Sequence, residues 1–454
     1  MKLLKISING VRGIVGETFT PELAVSFAQA FGTYLESGRV LTGRDTRRSG
    51  PMVHAAVAAG LLSTGCEVVD LGVCPTPSLQ LAIGAMGAAG GIAISAGHNP
   101  EQWNALKFVR QDGLFLNTTQ AEELLDIYHQ GEFEKAKWDR VPARIGTGDA
   151  IALHMETLSR VFDAAAIRAR RLTVAVDCCN GACALLVPRW LASMGCRVLA
   201  INDDTNEAFP RSPEIRRETL AQLRAVVQAG HADVGFAHDA DGERLGIVTE
   251  TGEALSEELT LALAAEITLR KTPGPVVTNL STTGAIEMVA ARHGARVIRT
   301  PVGTPYISEA IREHNAVIGG EGNGAVAVPR VQPTNDSAAA IGLILEHMAL
   351  TGESVSALAA GLPRLVMRKH YARIEPNLLY SALQDFRDKA IAAGMDAGAE
   401  HMDASDGVKL SWPDGWVHVR ASNTESMIRV IAEAATETRV DELLDWARDR
   451  LKET

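Results

Sequence analysis

The chain has 454 residues, of which 46% are hydrophobic and 22% are charged, and its formal net charge is −11. This length exceeds a single compact core and predicts roughly three to four domains of about 100 to 150 residues each. The acidic balance argues against a general nucleic-acid or anionic-membrane binder, because such proteins usually carry a basic surface. A small anionic ligand needs only a local cluster of arginines and stays compatible with this composition.

The N-terminal stretch "MKLLKISINGVRG" has no apolar core of signal-peptide length, and no run of about 18 apolar residues could span a bilayer. We therefore expect a cytoplasmic protein with no membrane partner. The six cysteines lie in apolar surroundings that are typical of reduced, buried thiols. They are Cys66, Cys74, Cys178, Cys179, Cys183 and Cys196.

A repeated order of elements predicts three related domains. A strand with a polar turn occurs in "RVLTGRDTRRSG", "LTVAVDCCNGAC" and "PVVTNLSTTGAI". A helix-like segment then ends at Gly65, Gly195 or Gly294, each placed as a helix C-cap, and runs into a β-branched strand. An apolar strand that ends in a polar loop completes each copy, in "GIAISAGHNP", "DVGFAHDADGER" and "AVIGGEGNG".

Alternating strands and helices predict an α/β protein whose three related domains have mixed, mainly parallel sheets. The final part, "DGVKLSWPDGWVHVRASNTESMIRVIAEA" followed by the helix "RVDELLDWARDRL", predicts a small α+β domain. We place the four domains at residues 1–150, 151–252, 253–365 and 366–454. Loops at the carboxyl ends of parallel strands line ligand crevices, so we expect an active-site cleft between all four domains.

The loop "HDADGER" carries acids at alternate positions, Asp239, Asp241 and Glu243, whose carboxylates can converge on one side of an extended segment. Hard oxygen donors without His or Cys suit Mg²⁺, whereas a solvated acidic turn is the simpler alternative. Arg244 follows the acids directly and offers a donor fork for phosphate.

Two further loops have the composition of ligand contacts. In "GGEGNG", Glu321 and Asn323 can bond sugar hydroxyls on a backbone that allows close approach, although a plain glycine-rich turn is equally consistent. In "RASNTESMIR", hydroxyl, amide and guanidinium groups suit a phosphate dianion, with a solvated turn as the alternative. The residues concerned are Arg420, Ser422, Asn423, Thr424 and Arg429.

In this order, the loops resemble those of the α-D-phosphohexomutase superfamily, most closely its phosphoglucosamine mutase and phosphomannomutase branches. The resemblance rests on "GVRG", "GRDTRRSG", "ISAGHNPEQWNALKF", "AHDADGER", "GGEGNGAV" and "VRASNTESMIRV", and covers essentially the whole chain. It implies four domains, reversible movement of phosphate between O1 and O6 of a hexose phosphate, a phosphoserine, a hexose 1,6-bisphosphate intermediate and Mg²⁺.

The resemblance also implies roles for individual residues. Asp239, Asp241 and Glu243 match the metal-binding acids, although the third is normally aspartate. Arg12 and Lys107 match basic residues beside the transfer centre, and Lys107 is a candidate proton shuttle. The remaining matches concern the substrate: Gly303 and Thr304 in a further substrate loop, Glu321 and Asn323 for the sugar, and Arg420, Ser422, Asn423, Thr424 and Arg429 for the phosphate that is not transferred.

The main departure from this family is Gly97, which stands where the resemblance implies the phosphorylated serine. Ser95 is a candidate substitute, but in an extended segment it lies two residues, or about 6.6 Å, from position 97. His98 could accept the phosphoryl group as a phosphoramidate, or transfer could occur directly between bound molecules. We also consider that the longer Glu243 fills the space that the serine leaves.

These features predict an intramolecular phosphotransferase that interconverts hexose 1- and 6-phosphates, with glucosamine phosphate as the first choice and mannose or glucose phosphate otherwise. A non-catalytic sugar-phosphate-binding homologue is the alternative, because Gly97 removes the nucleophile; a phosphatase-like activity with water as acceptor is a third. We expect a hexose phosphate substrate, no nucleic-acid partner, and a monomer or homodimer.

Overall fold

The computed structural model describes residues 4–7, 10–373, 379–421 and 427–452. Its strands form four sheets that follow one another along the chain. In the part of the chain described, no helix is long and apolar enough to cross a membrane. All six cysteines are buried and unpaired, as predicted.

The first sheet has seven strands in the order β1-β2-β6-β5-β3-β4-β7. These strands are β1 (Lys5–Ser7), β2 (Gly10–Ile14), β3 (Arg39–Arg44), β4 (Glu67–Val73), β5 (Gly90–Ile94), β6 (Trp103–Arg110) and β7 (Gly146–Thr147). The helices are α1 (Pro21–Tyr34), α2 (Gly50–Ser63), α3 (Thr76–Ala85) and α4 (Thr118–Gln130). Pairings among β3, β4, β5 and β7 are parallel, and those that add β6, β2 and β1 are antiparallel, so this sheet is mixed.

The second sheet has the order β11-β10-β8-β9, and the third has the order β13-β12-β14-β15. The second contains β8 (Thr173–Asp177), β9 (Arg197–Ile201), β10 (Val234–His238) and β11 (Leu245–Thr249), with α5 (Ala150–Val161), α6 (Ala164–Arg170), α7 (Val187–Ser193) and α8 (Ala221–Gly230). The third contains β12 (Val276–Asn279), β13 (Val297–Thr300), β14 (Ile318–Glu321) and β15 (Ala325–Ala327), with α9 (Glu257–Leu269), α10 (Ala285–Arg292), α11 (Thr304–His314), α12 (Ser337–Thr351) and α13 (Val355–Ala360). In each, one antiparallel edge strand joins an otherwise parallel sheet.

The predicted repeat is present in these three sheets. Gly65, Gly195 and Gly294 each follow a helix and have φ angles of 87°, 82° and 63°. Glycine adopts this left-handed conformation without the steric cost that a Cβ imposes, so the chain turns sharply into the next strand. Each helix is therefore returned to the start of a strand that runs parallel to the one before it.

The fourth sheet is antiparallel throughout, in the order β16-β20-β19-β18-β17. Its elements are β16 (Val366–Arg373), α14 (Leu379–Asp396), β17 (His401–Asp403), β18 (Val408–Trp412), β19 (Gly415–Ala421), β20 (Met427–Ala434) and α15 (Glu437–Lys452). The predicted hairpin corresponds to β18 and β19, and the predicted helix to α15. This part is the α+β unit that the sequence predicts.

The hydrophobic core explains which parts are held together most firmly. One continuous cluster extends from Leu41 to Leu362 and joins the first three sheets. The fourth sheet packs α14 and α15 on a separate cluster that includes Phe386 and Leu410. Among the residues that the structure describes, these two clusters are separate, so polar contacts have a large share in positioning the fourth sheet.

Candidate active site

One cavity, of about 160 Å³, opens where the four sheets meet. It is lined by Arg12, Ser95, Gly97, His98, Lys107, Glu243, Arg244, Gly303, Thr304, Glu321, Asn323, Arg420 and Arg429, among others. Asp239 and Asp241 are buried on the same loop as Glu243. Ser422, Asn423 and Thr424 lie outside the described residues. The structure thus brings together the other residues that the sequence predicts.

Arg47 holds the loop that follows β5. Its side chain is 1% exposed, forms a 2.9 Å ion pair with Asp45, and donates hydrogen bonds to the carbonyl oxygens of Gly97, Asn99 and Pro100. A buried guanidinium with its donors paired is a rigid support for a loop without regular structure. Asp45 and Arg47 both lie in the quoted "GRDTRRSG", but no local sequence signal predicts this supporting role.

Ser95, the candidate substitute nucleophile, is part of this support. Its hydroxyl donates to Asp45 Oδ2 at 2.7 Å and accepts from the Gly97 amide at 2.9 Å. The side chain is 1% exposed. Because these two bonds hold the hydroxyl in place, they favour a structural role for Ser95 over a role as nucleophile.

Gly97 has a φ of 54°, in the left-handed region. A Cβ at this position would lie 3.5 Å from Asp241 Oδ1 and 3.8 Å from Lys107 Nζ, which are ordinary contacts. The three heavy atoms nearest to that Cβ belong to Asp241 and Lys107. Glu243 bonds the Lys107 ammonium at 2.6 Å, and its filling of the space that the serine leaves stays a prediction.

His98 faces the cavity among basic side chains. Burial, and then the charges of Arg244, Arg12, Lys107 and Arg429, lower the pKa of His98 well below its ordinary value. The imidazole is therefore neutral near pH 7 and can accept a hydrogen bond.

The first residues of two helices hold the acidic loop between β10 and β11: one belongs to α3, beside the first sheet, and the other to α12, beside the third. Thr76, the first residue of α3, donates its amide to the Asp241 carbonyl and its hydroxyl to Asp241 Oδ2, both at 2.9 Å. Ser337, the first residue of α12, donates its amide and its hydroxyl to the Gly242 carbonyl. A helix N-terminus is the positive end of the helix dipole, so α3 also favours the charged form of Asp241.

The three acids of this loop have different surroundings. Asp239 Oδ1 accepts from the Arg244 amide at 3.1 Å. The ammonium of Lys107 lies between the other two, 2.7 Å from Asp241 Oδ2 and 2.6 Å from Glu243 Oε2. The alternate spacing of Asp241 and Glu243 therefore lets both carboxylates bond the Lys107 ammonium.

These contacts separate the pKa values of the acids. Burial, and then the neighbouring Asp241 charge, raise the pKa of Asp239 to about 8. Burial acts the same way on Asp241, but the Lys107 ammonium outweighs it and holds the pKa of Asp241 below its ordinary value. The loop thus combines a carboxyl that holds its proton near neutral pH with a firmly ionised one.

The carboxylates of the acidic loop are the type of donor that a hard divalent cation prefers, but they do not form a complete set of metal ligands. Within the described ranges, no group of three His, Cys, Asp or Glu side chains is placed to hold a metal ion. Asp241 Oδ1 and Glu243 Oε1 are nevertheless buried without a hydrogen-bond partner. Buried oxygens that lack a partner are costly unless a ligand supplies one, and carboxylate oxygen is what Mg²⁺ prefers.

The loop after β14 presents a fixed carboxylate to the cavity. Glu321 Oε1 accepts from Asn279 Nδ2 at 2.8 Å, and the Gly322 amide donates to Thr282 Oγ1 at 3.0 Å. Asn323 Oδ1 accepts from the Ala325 amide at 3.1 Å. The side chains that support Glu321 and Gly322 come from the "TNLSTTG" segment, whose sequence predicts only a polar turn.

Two arginines of the fourth sheet face each other across neighbouring strands. Arg420 on β19 pairs directly with Arg429 on β20, and both line the cavity. Arg420 is 2% exposed, and its Nε donates to Asp406 Oδ2 at 2.9 Å. Like charges at directly opposite positions repel each other, so an anion between them would be stabilising.

Comparison with protein families accounts for this arrangement. Four models described as phosphoglucomutase/phosphomannomutase domains match in chain order: alpha/beta/alpha domain I at residues 4–135, domain II at 152–252, domain III at 256–365 and the C-terminal domain at 379–449. The resemblance inferred from the loops is confirmed.

Individual proteins match over nearly their full length. A "Phosphoglucomutase/phosphomannomutase" of Thermococcus kodakarensis is 37% identical, over 98% of this chain and 97% of its own. A "Probable phosphoglucosamine mutase" of Methanopyrus kandleri is 35% identical, over 96% and 95%. A crystal structure of a phosphoglucomutase/phosphomannomutase family protein from Burkholderia thailandensis has 26% identity and a TM-score of 0.84, covering 98% of both chains. The chain therefore belongs to the phosphoglucomutase/phosphomannomutase family, the hexose-phosphate mutases.

Proposed function

We propose that this enzyme interconverts the 1- and 6-phosphates of glucosamine, with mannose or glucose phosphate as the alternative substrates. One observation carries the proposal: basic side chains from three sheets converge on the cavity that also contains Glu321 and Asn323. The basic side chains are Arg12, Lys107, Arg244, Arg420 and Arg429. Relatives named as phosphoglucosamine mutases favour the amino sugar.

In this proposal the two ends of the sugar have separate binding groups. Arg420 and Arg429 hold the phosphate that stays in place, because their opposed guanidinium groups offer paired donors to one dianion. Arg12 and Lys107 neutralise the phosphoryl group in transfer, near Gly97. Glu321 and Asn323 bond the sugar hydroxyls between the two ends.

We also propose that Mg²⁺ serves this enzyme, held by Asp239, Asp241 and Glu243. When bound, such an ion neutralises charge on phosphoryl oxygens. The chain's own contribution is to aim the loop, through Thr76 and Ser337, at the side of the cavity where Gly97 lies.

Because Gly97 offers no hydroxyl, we propose that a hexose 1,6-bisphosphate supplies the phosphoryl group directly. The free hydroxyl of a bound monophosphate attacks a phosphorus atom of the bisphosphate, the bond from that phosphorus to the donor sugar oxygen breaks, and the proton moves to that oxygen. A second cavity, of about 570 Å³, shares His98, Arg244, Asn323 and Arg429 with the first and provides room for the donor sugar.

The test is a coupled mutase assay with each hexose 1-phosphate, Mg²⁺ and added bisphosphate. We expect turnover by the wild type that depends on bisphosphate and persists in Ser95→Ala, with no phosphorylated side chain by intact mass. A phosphorylated wild-type protein would refute direct transfer, and peptide mapping would distinguish Ser95 from His98.

Gly97 and the engagement of Ser95 also support a second candidate, a sugar-phosphate-binding homologue without mutase activity. This candidate predicts binding of hexose phosphates by calorimetry, no wild-type turnover with any of them, and strong activity in Gly97→Ser. That combination would retire the mutase proposal.

A further inference from the structure

Lys107 makes a contact between two sheets that its position on β6 does not reveal. Its ammonium extends from the first sheet to the acidic loop of the second and bonds both Asp241 and Glu243, at 2.7 and 2.6 Å. The side chain is 14% exposed. The ammonium therefore stands between the carboxylates that the proposed function gives to a divalent cation.

The identity of residue 243 contributes to this arrangement. The family resemblance implies aspartate there, and the glutamate of this chain extends its carboxylate by one methylene. Its Oε2 meets the Lys107 ammonium, whereas its Oε1 has no hydrogen-bond partner. Asp241 is arranged in the same way: its Oδ2 accepts from the Lys107 ammonium, and its Oδ1 has no hydrogen-bond partner.

We propose that the Lys107 ammonium and a divalent cation are alternative occupants of the Asp241–Glu243 carboxylate pair, and that a sugar phosphate draws Lys107 away when the cation enters. This inference rests on the proposed function, which supplies both ligands. A divalent cation bound to these carboxylates would lie within a few ångströms of the ammonium, and two positive charges repel strongly at that distance in a buried site.

Lys107 has an alternative anion available. Its side chain lines the cavity together with Arg12 and Arg244, where the phosphoryl group of the substrate is proposed to lie. A phosphate in the cavity would replace the carboxylates as partner of the ammonium. Binding of cation and sugar phosphate is then mutually reinforcing, and linkage requires each to raise the affinity of the other by the same factor.

The first test measures Mn²⁺ binding to the full-length protein by calorimetry, without sugar. We expect Lys107→Met to bind Mn²⁺ at least about fivefold more tightly than the wild type, a typical coupling between sites. Arg12→Met is the matched control, because it removes a positive charge from the same cavity without vacating the carboxylates; its gain should be smaller. Equal Mn²⁺ affinity in Lys107→Met and wild type, or no Mn²⁺ binding by either, would overturn the proposal.

The second test repeats the titration with glucose 1,6-bisphosphate present. We expect the bisphosphate to tighten Mn²⁺ binding at least about fivefold in the wild type and clearly less in Lys107→Met. Undiminished coupling in the variant would mean that the phosphate attracts the ion directly, which contradicts the proposed exchange.

A measurement on the wild type guards against misfolding of the variant. Acetic anhydride labelling, read by peptide mass, should modify Lys107 faster when Mn²⁺ is present, with the buried Lys409 as internal reference. Unchanged Lys107 labelling refutes the exchange. These outcomes are independent of turnover. Mutase activity together with equal Mn²⁺ affinities would refute only this inference. The expected Mn²⁺ results without turnover would refute only the mutase proposal.

Discussion

At position 97 the surroundings leave room for a side chain that this sequence lacks, although the left-handed backbone favours glycine. The φ of 54° is held by Arg47 on the carbonyl side and by the Ser95 hydroxyl on the amide side. The space that a Cβ would occupy is bordered by Asp241 and Lys107 at ordinary contact distances. The loop thus keeps its shape through residues other than the one at 97, so a hydroxyl can be added without rebuilding it.

We expect Gly97→Ser to fold and to accept a phosphoryl group from hexose 1,6-bisphosphate, because its hydroxyl would lie beside Lys107. The left-handed backbone should cost about 1 to 2 kcal/mol of unfolding free energy. Gly97→Ala, which has the same strain and no hydroxyl, should lose similar stability and gain no phosphoryl group. Urea denaturation and intact mass measure both effects; phosphorylation of the alanine variant, or none of the serine variant, contradicts the expectation.

Among the elements, the start of α12 connects the first three sheets. Its N-cap, Asp336, accepts from the Ala338 and Ala339 amides through Oδ1, while Oδ2 lies 3.0 Å from His154 Nε2. His154 on α5 meets Ser78 on α3 at 2.8 Å through its other nitrogen. All three side chains are buried, so this Ser, His and Asp row is a structural connection and not an exposed catalytic triad.

Replacement of Asp336 by alanine should therefore cost much more than loss of an ordinary helix cap. It would leave the buried Nε2 donor of His154 without its partner and remove one of the two bonds that Gln332 Nε2 makes, and we expect a loss of about 3 kcal/mol or more. Ser354→Ala is the matched control, since Ser354 caps α13 by accepting from the Ala357 amide and otherwise contacts only nearby polar groups such as the Ser356 hydroxyl; it should lose about 1 kcal/mol. Equal losses in the two variants, by urea denaturation, would show that the connection across sheets adds no stability.

In the whole molecule, the fourth sheet meets the third through polar contacts. His418 Nε2 donates to the Asp406 carbonyl at 2.7 Å, so its Nδ1 is the acceptor for the Ser281 hydroxyl at 3.0 Å. Lys369 on β16 bonds Glu258 on α9 at 2.6 Å. Contacts of this kind position Arg420 and Arg429 over a cavity whose other walls belong to the first three sheets.

The His418 contact makes the stability of the protein sensitive to acid. Burial lowers the pKa of His418 to about 4, against an ordinary value of 6.5. Between these values the unfolded chain binds more protons than the folded one, so stability should fall as pH decreases from 6.5 towards 4, by roughly 3 kcal/mol at most.

Urea midpoints at pH 7.5 and pH 5 test this expectation. The wild type should lose more stability between the two than His418→Gln, whose side chain does not titrate. The exposed His231, replaced in the same way, controls for general effects of losing a histidine. Parallel losses in the wild type and His418→Gln would refute the role of His418.

The order of elements, the repeat and most of the described residues around the cavity were predictable from the sequence. Periodic apolar strands and glycines after helices are local signals, visible within a dozen residues of each other. Ligands bind in the crevice outside the carboxyl ends of parallel strands, so the sequence pattern was enough to assign Gly97, the acidic loop and Glu321 to one site.

The contacts that those residues make depend on how the separate sheets pack. The bonds from Lys107 to Asp241 and from Ser95 to Asp45 join residues 134 and 50 positions apart. The sequence pattern of one element does not indicate that the Ser95 hydroxyl is hydrogen-bonded or that the Lys107 ammonium lies between two acids. Such contacts form only when separate parts of the chain pack together. The structure adds that Ser95, the candidate substitute nucleophile, supports the loop, and that Lys107, the candidate proton shuttle, bonds two of the acids.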